Sequence, residues 1–366
     1  MPDTVQLEFA PERNALSKGK QLRDGLSVAV QIGNTLWVTN DETISLERLV
    51  PIDSHRYGHH QQFALNDYLR LPVVPPSDPA DIEEADLEGL AYADGYLWLV
   101  GSHSLKRKKP KLNEGSEKAR KQLAKIGSDG NRYLLARIPV VEHDGTYTLA
   151  QEHTQQGTTR TAAQLHGNAH GNDLMDALRE DKHLAPFLAI PGKDNGFDIE
   201  GLAVNGARLF LGLRGPVLRG WAVILELELE EERKQSTTLR LKTIGPDAQL
   251  YRKHFLQLDG LGIRDLCVQG HDLLILAGPT LDLDGPVSVF RWRGGAEPAS
   301  ETMVPTDALE RVLDVPYGQG DDHAEGMTLF APNGGDATSI LVVYDAASAQ
   351  RRQGTHALTA DVFNII

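Results

Sequence analysis

This chain has 366 residues, of which 40% are apolar and 24% are charged, so it is long enough to bury a large core or to form two ordinary domains. Its 51 acidic and 37 basic residues give a net charge of −14, which argues against nonspecific nucleic-acid binding. The sequence contains no run of about 18 apolar residues, so no membrane span is predicted.

The cysteine content and the N-terminal residues limit the chemistry and the location. The single cysteine, Cys267, excludes an internal disulfide framework and a metal site built of several thiolates. The N-terminal residues contain no apolar signal-peptide core, so we expect a cytoplasmic protein.

A repeated register runs along the chain. Short apolar segments occur in pairs, each pair joined by a turn that contains Gly or Asn, which is typical of β-hairpins. In four pairs, equivalent positions lie ten residues apart: Ser27 and Trp37, Glu88 and Trp98, Glu200 and Phe210, and Asp265 and Ile275. A fifth hairpin begins near Glu325 and needs a longer turn before residues 339–344.

Further strand-like segments follow each hairpin, and units of about four antiparallel strands are typical of propeller blades. We therefore predict an all-β fold, a β-propeller of five blades, with six as the alternative count, in a single domain spanning residues 1–366. The N-terminal segment VQLEF is expected to supply the last outer strand and to close the ring. A β-sandwich or two β domains is the main alternative architecture.

Two helical patterns, at 114–126 and 172–184, interrupt the second unit. We expect them to lie within two insertions, 103–132 and 155–197, on or near one face of the ring.

The register also predicts a cluster of acids. In a blade, the start of the first strand and the end of the second open on the same face, which collects Glu88, Glu200, Asp265 and Glu325. Carboxylates brought together in this way need compensation, and a hard cation such as Ca²⁺ or Mg²⁺ with oxygen ligands would supply it. We therefore predict that these four acids are metal ligands.

Basic loops are expected on the same face, where they would bind an anionic small molecule such as a phosphate ester. The predicted contacts are Lys106, Arg107, Lys108, Arg214 and Arg219.

Each of these features also has a structural interpretation. The repeated Glu-Gly-Leu phrase can position a blade, because Gly allows a tight entry to the strand and Glu can accept N–H groups from the next blade. The basic run at 106–111 can be a solvated loop. Four acids at one level favour a site, and the neighbouring Arg214 and Arg219 favour anion binding.

Four segments together resemble a bacterial family of uncharacterised proteins, catalogued as domain of unknown function 3616, over roughly residues 24–366. The segments are 86–109, 197–227, 261–279 and 323–330. That family is in turn similar to the esterase-like phytase group, which also repeats an EGLA phrase ahead of its strands. The resemblance implies a propeller and a metal-assisted hydrolase, but it transfers no tested activity and no catalytic residue.

The function predicted is metal-dependent hydrolysis of phosphate esters or related anionic small molecules. Glu88 and Glu200 are the candidate catalytic carboxylates beside the cation, and His103 is the candidate acid or base. The alternative is a non-enzymatic propeller scaffold that binds a partner protein through the lysine-rich insertion at 106–126.

Overall fold

The computed structural model describes residues 2–74, 83–281, 284–318, 320–332 and 337–365. It is mostly β, with curled sheets in a propeller-like arrangement. The chain begins with β1 (Asp3–Glu8) and the short helix α1 (Pro11–Asn14). Among the described helices, none is long and apolar enough to cross a membrane.

The first two sheets form around the first two predicted hairpins. The strands of the first sheet are β2 (Leu26–Ile32), β3 (Thr35–Asn40), β4 (Ser45–Asp53) and β5 (Arg56–Ala64). The second sheet and the segments that join it to the third contain β6 (Leu87–Ala93), β7 (Tyr96–Gly101), β8 (Lys106–Arg107), α2 (Ser116–Leu123), β9 (Ile126–Gly127), β10 (Leu135–His143), β11 (Thr146–Leu149), β12 (Glu152–Gln155), β13 (Thr158–Thr161), β14 (Ala163–Leu165), β15 (Gly167–Asn168), β16 (Gly171–Asn172) and α3 (Asp173–Leu178).

The remaining three hairpins nucleate three more sheets. The third contains β17 (Asp198–Asn205), β18 (Arg208–Gly215), β19 (Ala222–Glu232), β20 (Gln235–Lys242) and β21 (Arg252–Leu256). The fourth contains β22 (Gly262–Gln269), β23 (Asp272–Gly278), β24 (Val287–Trp292) and β26 (Leu309–Val315), with β25 (Thr302–Val304) pairing parallel to β21. The fifth contains β27 (His323–Phe330), β28 (Ser339–Asp345), β29 (Arg352–Gln353) and β30 (Ala357–Asn364).

Local sequence explains the hairpin turns. In the second hairpin, Asp94 and Gly95 both have positive φ, 52° and 78°. Two left-handed residues in a two-residue loop are what a type I′ turn requires, and its twist matches that of the flanking strands.

The five inner strands form a closed cycle. Each of β2, β6, β17, β22 and β27 packs against the inner strands of its two neighbours, and β27 returns to β2. An apolar core lies between each successive pair of sheets, including the pair formed by the fifth and the first. Trp37 and Trp98 lie in two of these cores, between neighbouring sheets.

The N-terminal strand links the last sheet to the first at the outer edge of the ring, as the sequence predicts. β1 runs antiparallel to β30 along its whole length and pairs in parallel with β5. It is therefore the outer strand of the fifth sheet and also joins that sheet to the first. Its own side chains Val5 and Leu7 are buried.

The two helical patterns form helices shorter than predicted. α2 covers Ser116–Leu123 of the predicted 114–126, and α3 covers Asp173–Leu178 of the predicted 172–184. The Asn172 side chain caps α3 by accepting the Met175 N–H. The Asp181 carboxylate accepts the N–H groups of His183 and Leu184, and this turn replaces the remaining predicted helix.

Candidate functional site

A β-bulge lies near the start of every inner strand, where the strand meets the ring axis. The residues skipped by the pairing are Ser27 with Val28, Glu88, Glu200, Arg264 and Glu325. Because a bulge re-aims a side chain, it turns these residues out of the ladder and towards one another. The ring at the axis therefore consists of Ser27, Glu88, Glu200, Arg264 and Glu325.

The fourth position of this ring corrects the sequence register by one residue. Arg264, not Asp265, is equivalent to Glu200, because the bulge in β22 lies between Ile263 and Asp265. Asp265 occupies the position that is Gly201 in β17. Its carboxylate accepts the N–H of Leu266 at 2.7 Å and the N–H of Met327 at 2.8 Å. Asp265 thus joins the fourth sheet to the fifth, and both of its carboxylate oxygens are engaged by backbone N–H groups.

One half of the ring is neutralised internally. Glu200 lies between two guanidinium groups, with Arg214 Nη1 at 2.5 Å and Arg264 Nη1 at 3.1 Å. Arg264 also contacts Glu325 at 2.9 Å, and Arg214 pairs with Asp198. All of these side chains are largely buried, so the pairs are shielded from solvent. Two of the predicted metal ligands, Glu200 and Glu325, therefore already have cationic partners.

The other half of the ring carries uncompensated acid. Glu88 has no hydrogen bond or ion pair with any described residue, and burial together with the charges of Asp86 and Glu200 raises the pKa of its carboxyl well above the usual range. Asp41, which directly follows β3, also lies among acids, and the charge of Lys193 only partly offsets them. Burial and the neighbouring Asp345 raise the pKa of Asp41 to about 8.

Two further observations define this half. The nearest oxygens of Asp41 and Asp345 lie 3.5 Å and 3.2 Å from one common point, where a β-carbon on Gly25 would stand. The Ser27 hydroxyl is buried and has no hydrogen-bond partner among described atoms. The half of the ring that contains Ser27 and Glu88 thus combines excess negative charge with a buried hydroxyl, that of Ser27, which has no described hydrogen-bond partner.

Arg132 connects this acidic cluster to the insertion at 103–132. Its guanidinium contacts Asp86 at 2.8 Å and Glu84 at 2.7 Å. Lys106 reaches the same Glu84 at 3.1 Å and also pairs with Asp129. The predicted anion contact Lys106 is therefore part of an ion-pair chain that leads from the insertion to the axis.

The remaining predicted anion contacts differ in availability. Arg107 pairs with Asp194 at 2.7 Å and donates to the Leu123 carbonyl at 2.8 Å, which ties together the two insertions. Arg214 is buried against Asp198 and Glu200. Lys108 and Arg219 are exposed, and their side chains make no hydrogen bond or ion pair with the described part of the chain.

His103 occupies a structural position. Its side chain is buried, Nδ1–H donates to the Gly101 carbonyl at 2.8 Å, and Nε2 accepts the Asn172 side-chain amide at 2.7 Å. Burial lowers the pKa of His103 to about 4, so its imidazole is neutral at physiological pH. With both nitrogens engaged and no bond to the carboxylates in the described ranges, this geometry offers no proton to the axis.

The register itself places Asp41, which follows the second strand of the first hairpin, on the same face as the ring. The structure adds residues that the sequence analysis did not select: Asp86, Asp198, Arg132 and Arg264. A signal for two of them was present, because DLEGL at 86–90 and DIEGL at 198–202 share an acid two residues before the ring glutamate. Aligning IRDL with IEGL without regard to the acid would have selected Arg264. Arg132 lies on a segment that shares no phrase with the others.

A metal ion was predicted at Glu88, Glu200, Asp265 and Glu325, and this donor set does not fit one. Three of its members are bound to guanidinium or backbone N–H groups. Within the described ranges, no three His, Cys, Asp or Glu side chains are arranged to hold an ion. The other carboxylates on this side of the axis are Glu88, Asp41 and Asp345, whose oxygen donors suit a hard cation in chemical type.

Comparison with known proteins identifies one family. The sequence of this chain matches the protein family described as "Protein of unknown function (DUF3616)" over residues 25–361. No curated protein matches the chain.

Several solved structures are similar along most of the chain at low identity. The PQQ-bound aldose sugar dehydrogenase of Streptomyces coelicolor is 11% identical, with 99% of this chain and 100% of that chain covered and a TM-score of 0.37. The glutaminyl cyclase of Myxococcus xanthus is 10% identical, with 100% and 97% covered and a TM-score of 0.38. The virginiamycin B lyase of Staphylococcus aureus is 9% identical, with both chains fully covered and a TM-score of 0.35.

Proposed function

The chain belongs to the DUF3616 family of proteins of unknown function, and we propose that it is a divalent-cation-dependent hydrolase of phosphate esters or related anionic small molecules. The active face is the end of the ring axis where Glu88, Asp41 and Asp345 lie. The observation that carries this proposal is Glu88, a buried carboxyl at the axis without a described hydrogen bond or ion pair, whose ring counterparts Glu200 and Glu325 are each neutralised by arginine.

We propose that Glu88 and Asp41 hold the cation. Mg²⁺ commonly binds through one or two carboxylates, keeps several waters and takes its remaining ligands from substrate phosphate, so it needs no preformed protein cage. A bound cation would compensate the local excess of acid and polarise a phosphoryl oxygen. Glu88 and Asp41 must lose their protons to bind it, which makes the affinity rise with pH.

The other residues act by position. Glu200 holds Arg214 and Arg264 in place and so fixes the wall beside Glu88. The exposed side chain of Arg219 is the proposed contact for the anionic end of the substrate, whereas Lys108 belongs to the exposed outer part of the insertion and has no role in substrate binding in this proposal. His103 and Asp265 have structural roles in this proposal.

The architecture proposed with this function is a closed propeller of five blades. Its support is the cycle of five inner strands and the five apolar cores between sheets. The insertions at 103–132 and 155–197 belong to the second blade and meet each other where Leu105 pairs with Pro191 and Arg107 with Asp194. All of these parts lie in one proposed domain.

Thermal unfolding with Mg²⁺, Ca²⁺ and Mn²⁺ tests the proposal. A ligand at about 100 times its Kd stabilises the native state by about 2.7 kcal/mol, so a specific site gives a clear shift of Tm. We expect a shift for the wild type that is larger at about pH 8 than at about pH 6, and none for Glu88→Gln.

Glu310→Gln is the control, because Glu310 is a carboxylate at the surface, away from the axis, and should leave the shift intact. An absent shift in the wild type, or an equal shift in Glu88→Gln, would falsify the cation site. Hydrolysis of p-nitrophenyl phosphate with and without the stabilising cation then tests the activity.

A further inference from the structure

The insertion at 103–132 has an anchored base and an exposed tip. At the base, Arg132 pairs with Asp86 and Glu84, and the Gly192 N–H donates to the Leu105 carbonyl. The tip, residues 108–126, extends away from these contacts, and nearly all of its residues are exposed.

Apolar side chains of the tip face solvent. Leu112, Leu123 and Ile126 are 81%, 47% and 46% exposed, and in α2 only Ala119 and Gln122 are buried. An eight-residue helix is marginal by itself in water and ordinarily depends on packing of an apolar face. Here that packing is minimal, so the leucines and the isoleucine are a surface that a partner can cover.

The charge of the tip is opposite to that of the rest of the protein. It contains seven Lys or Arg and two Glu, in a chain whose net charge is −14. The two acids are already paired with the tip's own lysines, Glu114 with Lys118 at 3.0 Å and Glu117 with Lys121 at 2.7 Å. Lys108, Lys109 and Lys125 make no side-chain hydrogen bond or ion pair with described residues, which leaves positive charge beside the apolar groups.

From this geometry we propose that the tip is a docking surface for an acidic peptide segment of a partner protein that also carries apolar side chains. The acid pairs with Lys108, Lys109 and Lys125, and the apolar side chains cover Leu112, Leu123 and Ile126. A short segment contacts the tip alone. An extended anionic membrane would also meet the acidic body and be repelled by it. Two copies of this chain, each with a net charge of −14, repel each other overall, although the basic tip of one is attracted to the acids of the other. The surface is independent of the acids at the ring axis.

Selection from a random peptide library on the immobilised full chain tests this proposal. The tip variant carries Leu112→Asp, Lys108→Glu and Lys109→Glu. The matched control carries Met303→Asp, Lys182→Glu and Lys234→Glu, which changes an exposed apolar residue and two exposed lysines elsewhere by the same charge. All substituted residues are exposed, so both variants should fold, as circular dichroism will show.

We expect the selected peptides to be rich in Asp and Glu with interspersed apolar residues. They should bind wild type and control equally and bind the tip variant roughly tenfold or more weakly. Peptides of no such composition, or equal binding to the tip variant, overturn the proposal. Tip-dependent flotation with phosphatidylserine vesicles in the absence of peptide binding replaces it with a membrane surface. Tip-dependent dimerisation in analytical ultracentrifugation, likewise without peptide binding, replaces it with self-association.

Discussion

Replacing Arg264 by Met should strongly destabilise the protein. The guanidinium lies between Glu200 and Glu325 at 3.1 and 2.9 Å and donates to the Pro279 carbonyl at 3.0 Å. Removing one member of a buried ion pair typically costs about 3–5 kcal/mol, because the remaining charge is left uncompensated. Glu200 keeps Arg214 as a partner, so the loss centres on Glu325 and we expect about 3 kcal/mol at neutral pH.

The loss should depend on pH in a defined direction. Burial, followed by the charge of Asp345, already raises the pKa of Glu325 well above its usual range, and Arg264 opposes this. A carboxyl whose pKa is raised in the folded state contributes stability at low pH that is lost as the pH rises. Without Arg264 the pKa rises further, so the gap between wild type and variant should be wider at a pH above the wild-type pKa of Glu325 than at a pH below it.

Denaturant unfolding followed by fluorescence and circular dichroism measures both effects. Arg293→Met is the control, because Arg293 also pairs with a glutamate, Glu310 at 2.6 Å, but its side chain is 73% exposed. Such a surface pair should change stability by no more than about 0.5–1 kcal/mol. Equal effects of Arg264→Met and Arg293→Met at both pH values would refute the idea that ring ion pairs hold the inner strands together.

Three further substitutions test the acidic cluster, the clasp and the insertion base. The pKa of Asp41 is raised to about 8, so its neutral form stabilises the native state at low pH, and this stability is lost as the pH rises through about 8. The Tm of Asp41→Asn should therefore rise relative to that of the wild type between about pH 4 and pH 8. A Tm difference that does not depend on pH contradicts this. Leu7→Ala in β1 should cost about 2–5 kcal/mol in denaturant unfolding and speed proteolysis of the N-terminal strand, whereas exposed Thr4→Ala should do neither. Asn172→Ala leaves His103 Nε2 without its donor and α3 without its cap, so it should lower the free energy of unfolding by about 1–3 kcal/mol. The Tm shift with cations should persist in this variant. Loss of that shift would point to a role for His103 at the axis.

The repeat was readable because hairpins are local. Equivalent positions ten residues apart, with turns such as Asp94–Gly95, predicted four of the inner hairpins, and the fifth was predicted with a longer turn. The VQLEF segment was correctly predicted to close the ring. The error at Asp265 arose where an acid stands at the position of a glycine. Choosing the acid as the marker moved the register by one residue and hid Arg264.

The partners in the buried ion pairs could not be predicted from the sequence. Arg214 and Arg107 were expected to bind a ligand, yet they are paired with Asp198 and Asp194, sixteen and 87 residues away in sequence. Which cations neutralise which acids depends on how bulges aim side chains across the axis, and sequence order carries no such information. The uncompensated state of Glu88 and Asp41 is likewise a property of the assembled ring.

The hydrogen bond from the Met327 N–H to the Asp265 carboxylate provides a marker of ring opening. N–H groups that pair within the ladder of β27 and β28 stay protected from exchange as long as their own sheet is intact. The Met327 N–H is protected by a side chain of the neighbouring sheet, so its protection requires the fourth and fifth sheets to remain docked. Hydrogen exchange at this one amide, compared with its neighbours in β27, therefore measures separation of two sheets without unfolding of either.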